Sequence, residues 1–277
     1  YNICNIYMNL KNYIDTTKLT ESTKKTYSMT YRNYLSQFEN TSKIIPKEKV
    51  SIIIEYILNL KKSNNTKMLV LATLMNLMMF NGYDMKEVKE IQRDLFQQKN
   101  KDTIVRKSIK QDLPEKQELL KYLKKIEEPV AYIINYILIH YNTRNKDLDI
   151  QLVLKRKDAV GKKNYLVVRG TDCIYIRRDY KTFDRYGEKI YTIRSRPFTR
   201  HAQSLIAKGQ DVLLKNTTNL TQEITKYTYK GMSESDYMKV IVSSIDMNKD
   251  YRALDEIGRR RGTSTPVIIN EYNLKVK

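Results

Sequence analysis

A chain of 277 residues with 41% hydrophobic content can bury one large core or two moderate ones and is too apolar to be a disordered chain. Only 8 Gly and 5 Pro mean few turns, which points to a helix-rich protein rather than a many-stranded barrel. The net charge of +20 opposes compaction, so a polyanionic partner, nucleic acid above all, accounts for it better than any need of the fold.

The excess is not a tail. Before and including residue 112 there are 19 basic and 11 acidic residues, and after it 32 and 20, so both parts face the polyanion. Two cysteines, Cys4 and Cys173, and two histidines, His140 and His201, are too few for a structural zinc cluster and fit a reduced, intracellular protein. The longest apolar run, Met68 to Phe80, is too short to span a bilayer and contains Asn76. It reads as a buried helix, and no membrane partner is expected. No signal-peptide pattern opens the chain.

Helices come first. Thr20 to Phe38 begins with a Thr/Glu/Ser start signal and sets Tyr27, Tyr31, Leu35 and Phe38 at helical spacing. A second helix begins near Pro46 and carries Val50, Ile53, Ile54, Ile57 and Leu58; a third ends at Asn81-Gly82; a fourth follows from Asp84. Together they predict an antiparallel four-helix bundle over residues 1–100. Residues 101–113, charged and without apolar periodicity, read as a linker before a second domain at 114–277.

That domain opens with two helices, the second ("PVAYIINYILIHYN") apolar on most faces. Four short β-branched and aromatic runs follow, "DIQLVLKRKD", "NYLVVRG", "DCIYIRRDYKT" and "EKIYTI", with Arg185 to Glu188 as the last turn. Helical patterns then return at "RHAQSLIAKGQDVLL", "SESDYMKVIVSSI" and "DYRALDEIGRRRG". The expected fold is mainly α with a small antiparallel β-sheet, an α+β protein.

The residues that could carry chemistry are Arg, Lys and Tyr. Clusters of Asp, Glu and His at metal spacing are lacking, which argues against a two-metal nuclease; no metal and no other cofactor is expected. The metal-free route to cutting a phosphodiester is a tyrosine nucleophile, with cations on the non-bridging oxygens and an acid for the leaving hydroxyl. Three segments supply such groups in order: "YNTRNKDL" (141–148), "YKTFDRYGEKI" (180–190) and "GRRRGTSTPVIINEYNL" (258–274).

These segments resemble the boxes of the tyrosine recombinases, the phage-type integrases. Arg144, Asp147 and Leu148 match the Arg, acidic residue and Leu of the family's Thr-Gly-x-Arg-x-x-Glu-Leu box. Lys181 stands where the family keeps a general-acid lysine on a hairpin. The family's Leu-Gly-His-Ser ending places the nucleophile nine residues after the His; here Gly262-Thr263 precedes Tyr272 by that spacing. The His-x-x-Arg box, about two dozen residues before the later His, falls on Asp236 and Lys239, so charge is kept at the second position and the bidentate fork is lost.

The resemblance covers nearly the whole chain. It implies a core-binding bundle and a catalytic domain that clamp double-stranded DNA, with four protomers on two DNA sites. It further implies a site-specific recombinase or integrase working through a covalent 3′-phosphotyrosine. In it Tyr272 attacks, Arg144 and Lys239 hold the phosphate, Lys181 protonates the leaving oxygen and Thr263 donates a hydrogen bond. Arg259, Arg260 and Arg261 would contact the DNA backbone. Two other readings stand beside it: a DNA-binding relative with weakened catalysis, motivated by Asp236 and Lys239, and a type IB topoisomerase. Plainer roles exist for each residue. Arg144 could satisfy a helix C-terminus, Lys181 and Lys239 could be solvated, Tyr272 could pack on the surface, and Arg259–Arg261 could be a solvated run. The richness in Lys, Asn, Ile and Tyr suggests an AT-rich genome, as in viruses and mobile elements.

Overall fold

The computed structural model describes residues 19–38, 45–108 and 112–275, with the side chains of 100–108 left aside. The chain forms two compact units, residues 1–109 and 110–277, described separately below. Cys4 and residues 109–111 of the expected linker lie outside the described residues.

In the first unit α1 (Glu21–Thr30) starts on Thr20, whose hydroxyl accepts the Thr23 amide. It runs on through a π turn, Tyr31–Leu35. Helices α2 (Val50–Asn59), α3 (Asn64–Phe80) and α4 (Lys86–Ser108) follow. Tyr31, Leu35, Ile53, Ile57, Leu71, Leu74, Leu77 and Val88 form one core with α3 at its centre. The expected spacing is kept except at Leu58, which is exposed, and at Met79 and Phe80, which emerge at the end of α3. Helix α4 continues to Ser108, so 101–108 of the expected linker is helical. The linker reading rests on the lack of an apolar stripe, and that lack does not by itself exclude a helix.

The second unit begins with α5 (Lys116–Leu123) and α6 (Pro129–Tyr141). Helix α6 has Pro129 in its first turn, Glu128 as its N-cap, and nine buried residues. Strands β1 (Ile150–Val153), β2 (Asn164–Val168), β3 (Cys173–Arg177) and β4 (Lys189–Ile193) make a sheet in sequential order. One helical turn, α7 (Phe183–Tyr186), sits inside the β3–β4 connection. The expectation of an antiparallel sheet is corrected at one edge: β1 pairs parallel with β2, while β2–β3 and β3–β4 are antiparallel. A hairpin turn would reverse the chain after β1. Instead residues 154–163 double back through a 3₁₀ turn at Arg156–Asp158 and bring β2 in alongside, pointing the same way.

The outer edge of β1 is covered by residues 211–213 through the Leu152 amide to Asp211 and the Leu213 amide to Ile150, which closes the ladder there. Both faces of β2 and β3 are buried. Leu166, Val168, Cys173 and Tyr175 join the main core with α6, and Tyr165, Val167, Ile174 and Ile176 form a smaller cluster on the other side. Helices α8 (Arg196–Ala207), α9 (Leu220–Thr225), α10 (Glu234–Ser243), α11 (Tyr251–Arg261) and α12 (Thr265–Tyr272) complete the α+β unit. Helix α9 has no counterpart in the sequence pattern; it is a six-residue helix capped by Asn219. No helix among the described residues is long and apolar enough to cross a membrane.

Candidate active site

The site is built around the end of α11. Leu254, Ile257, Gly258 and Arg261 are its buried residues, spaced i, i+3, i+4, i+7, so Arg261 belongs to the inward stripe although it carries charge. The helix stops at Gly262, which adopts φ +69° and closes a left-handed C-terminal turn. A Cβ at Gly262 would lie 2.1 Å from the Thr182 hydroxyl, which donates to the Gly262 carbonyl at 3.2 Å. The β3–β4 connection therefore seats directly on this turn.

Arg261 is 3% exposed. Its guanidinium donates to the carbonyls of Asn142 (3.2 Å) and Thr143 (3.1 Å), to Glu234 at the start of α10, and to the hydroxyl of Tyr272 at 3.0 Å. It also lies over the Tyr272 ring, 5.1 Å from the centroid. Asn142, itself left-handed at φ 54°, ends α6 and turns those carbonyls toward Arg261. Arg144 follows on the same segment and donates from Nη1 to the Arg261 carbonyl at 2.5 Å. Burial, and then the Arg261 charge, lower the pKa of the half-buried Arg144, which still keeps its proton.

Three cations from other segments thus converge on the last carbonyls of α11. Arg144 takes Arg261 O, Arg177 takes Arg260 O at 2.8 Å, and Lys189 takes Arg259 O at 2.5 Å and Arg260 O at 3.1 Å. These are the groups that the negative end of a helix leaves unsatisfied. Arg144 does cap a helix, but α11 rather than the α6 that precedes it. Arg177, wholly buried, is held by Asp147, whose backbone carbonyl takes the Tyr175 hydroxyl at 2.7 Å. Burial pushes the Asp147 carboxyl up while Arg177 opposes it.

The sequence-expected residues separate into two groups. Arg144 and Tyr272 meet at Arg261. Asp236 and Lys239 do not join them: Asp236 accepts from the Ser233 amide and hydroxyl in the capping box of α10, and Lys239 pairs with Asp236 at 3.2 Å. Five residues separate Lys239 from Glu234, or roughly 140° around the helix, so a helix that turns Glu234 onto Arg261 turns Lys239 away. Lys239 instead lines a cleft of about 620 Å³ with Pro114, Lys116, Ser243 and Leu274. Thr263 is half-buried; its amide bonds to Gly258 O at 2.9 Å, and its hydroxyl has no partner among the described residues. Lys181 is exposed on the connection before α7.

The run Arg259–Arg261 also divides. Arg259 is exposed with an ion pair to Asp255, Arg260 is half-buried and donates to His140 O at 2.6 Å, and Arg261 is turned inside. Arg261, expected on the DNA-facing surface, is instead turned inside, with its two terminal nitrogens on Asn142, Thr143, Glu234 and Tyr272.

Glu234, Arg177 and Lys189 are functional candidates that sequence reasoning misses, and Arg261, expected as a DNA-backbone contact, sits inside the site instead. For Arg261 the available signal is its i+7 place on the α11 stripe. For Lys189 it is β4 alternation, in which Lys189, Tyr191 and Ile193 turn inward while Ile190 is exposed. Lys189 lies 4.9 Å from the Tyr180 ring and 5.2 Å from the Tyr186 ring, and burial, then the Arg177 charge, lower its pKa to about 8. Cys173 is buried, its thiol pushed up to about 11 by burial, which leaves it unreactive. Among the described residues no three His, Cys, Asp or Glu side chains gather to hold a metal ion.

No family model matches the chain, and no curated protein does. Among solved structures the chain is similar to a crystal structure of XerA recombinase, at 11% identity and a TM-score of 0.38, over 97% of this chain and 93% of that one.

Proposed function

We propose that the chain is a DNA strand-transferase that cuts and rejoins a phosphodiester through Tyr272. The observation that carries this reading is the Tyr272 hydroxyl 3.0 Å from the Arg261 guanidinium, with Arg144 donating to the carbonyl of that same arginine. A nucleophilic oxygen and two permanent cations on one small patch are what attack at a phosphorus requires. The net charge of +20 supplies the attraction for the substrate.

In the proposed reaction Tyr272 Oη loses its proton to solvent and bonds to phosphorus as the P–O5′ bond breaks. Arg144 and Arg261 offset charge on the non-bridging oxygens, and a hairpin lysine protonates the departing 5′ oxygen. Lys189, with its pKa near 8, suits that last role, since an acid works best when its pKa lies near the working pH; Lys181 on the same connection is the alternative. A 5′ hydroxyl reverses the step, so the bond energy stays in the protein–DNA link. The same reading assigns DNA binding to residues 1–100 and four protomers to two duplex sites.

A second reading, a DNA-binding relative with weakened catalysis, is favoured by Asp236 and Lys239, which are engaged with each other and with Ser233 rather than with Tyr272. Nicked suicide duplexes decide between the two. The first reading expects a covalent adduct with the wild type and none with Tyr272→Phe; equal adduct from both would sink it. Tight, salt-dependent binding without adduct on any duplex selects the second.

A further inference from the structure

Glu234 is the acidic residue in direct contact with the Arg261 and Asn145 donors, and the reaction proposed above gives it no task. It is the first residue of α10, fixed by the Ser233–Asp236 capping box, and its side chain is 14% exposed. One carboxylate oxygen takes the Arg261 guanidinium, and the other accepts the backbone N–H of Asn145 at 2.8 Å. Burial and the Arg261 charge lower the Arg144 pKa, and the Glu234 charge is among the groups that oppose that shift. Beside them Thr143 carries a wholly buried hydroxyl with no partner among the described residues.

The Arg261 guanidinium and the Asn145 amide that hold this carboxylate, with the Arg144 guanidinium on the same segment, are the donor set that seats an oxyanion. We infer that Glu234 is the resident anion of this seat, and that a phosphate group must displace its carboxylate to come within reach of Tyr272. The identification of that phosphate with a DNA backbone rests on the reading of Tyr272 given above. The charge count supports displacement over sharing. Arg144 and Arg261 bring two positive charges and Glu234 removes one, so a phosphodiester held beside the carboxylate would face a like charge in a half-buried site. Glu234 also has somewhere to go, because the N-terminus of α10 favours a carboxylate swung toward solvent. The consequence is a site kept quiet until a polyanion arrives with enough binding energy elsewhere to evict the carboxylate, a coupling of duplex binding to assembly of the site.

The test uses the full chain and inorganic phosphate at constant ionic strength, read by calorimetry. Glu234→Gln keeps the shape and removes the charge; it should bind phosphate roughly tenfold more tightly than the wild type, the low end for a close charge pair. Glu234→Asp, charged but shorter, should fall between. A fixed structural partner of Arg261 would not raise phosphate affinity when neutralised. Equal or weaker phosphate binding by Glu234→Gln overturns the proposal, and so does failure of both variants to fold, since Glu234 would then be an immovable part of the core. The nicked-duplex assay separates this from the reaction itself. Gained phosphate affinity without any Tyr272 adduct keeps the resident anion and removes the strand-transferase. A Tyr272 adduct without gained phosphate affinity does the reverse.

Discussion

Two basic regions of the second unit use their charge in opposite ways. At the end of α11, Arg144, Arg177, Arg261 and Lys189 are buried or half-buried, and each donates to a carbonyl or carboxylate of the protein. In the β1–β2 connection Lys155, Arg156, Lys157, Lys162 and Lys163 are all exposed, and none makes an ion pair among the described residues. Sequence charge alone would count the two alike. The first region spends cations on holding helix ends and strands together; the second leaves them exposed. A charge of +20 is therefore partly architectural and partly surface charge.

The sharpest way to break that distinction is to remove an internal partner. Asp147→Ala leaves Arg177 charged, wholly buried and without its carboxylate. Such a change costs about 3–5 kcal/mol, and chemical denaturation should report it as a lowered midpoint of the second unit. The further change Arg177→Met should recover most of that stability, because an apolar pair needs no compensation. If Asp147→Ala costs under about 1 kcal/mol, the α11 region is not held by its ion pairs.

The opposite result is expected in the connection. Changing Lys155, Arg156, Lys157, Lys162 and Lys163 together to Gln should leave stability within about 0.5 kcal/mol for each site. Duplex affinity should fall, and the slope of log K against log salt should become shallower by roughly 0.9 for each DNA phosphate that the protein no longer neutralises. An unchanged salt slope would mean that these side chains face no DNA, and that the exposed charge serves solubility alone.

The same contrast explains what can be read from the sequence. The four strands and the apolar α6 follow from local patterns, β-branched alternation and capping, which act within a few residues. Asp236, expected as part of a catalytic box, sits in the first turn of α10, and its capping-box role is local as well. The partners of Arg261 are not local. Asn142, Thr143 and Glu234 lie 119, 118 and 27 residues away, so no spacing rule finds them. Lys239 misleads for a related reason: its place is inferred from the spacing of a distant box, while the face of α10 that meets Arg261 is set by Glu234. The parallel β1–β2 pairing depends on how ten connecting residues fold, and composition does not encode that.

Lys189, in the first region, is half-buried and touches both carbonyls and rings, and its titration tests whether its charge is purely architectural. Its pKa in the fold is about 8, against 10.5 for an ordinary lysine. The unfolded chain therefore binds more protons than the folded one between those values, and stability should rise as pH goes from about 8 toward 10.5. Because the group is partly exposed, screening makes that rise small, and Lys189→Met should remove it in denaturation curves at pH 8 and 10. If Lys189 is also the acid of the proposed reaction, adduct formation should move the other way and decline above about pH 8 as the proton leaves. A lysine serving only as a helix cap would give the stability slope without the activity decline. Opposed pH trends in the wild type, both abolished by Lys189→Met, would separate a catalytic proton from an architectural charge at one residue.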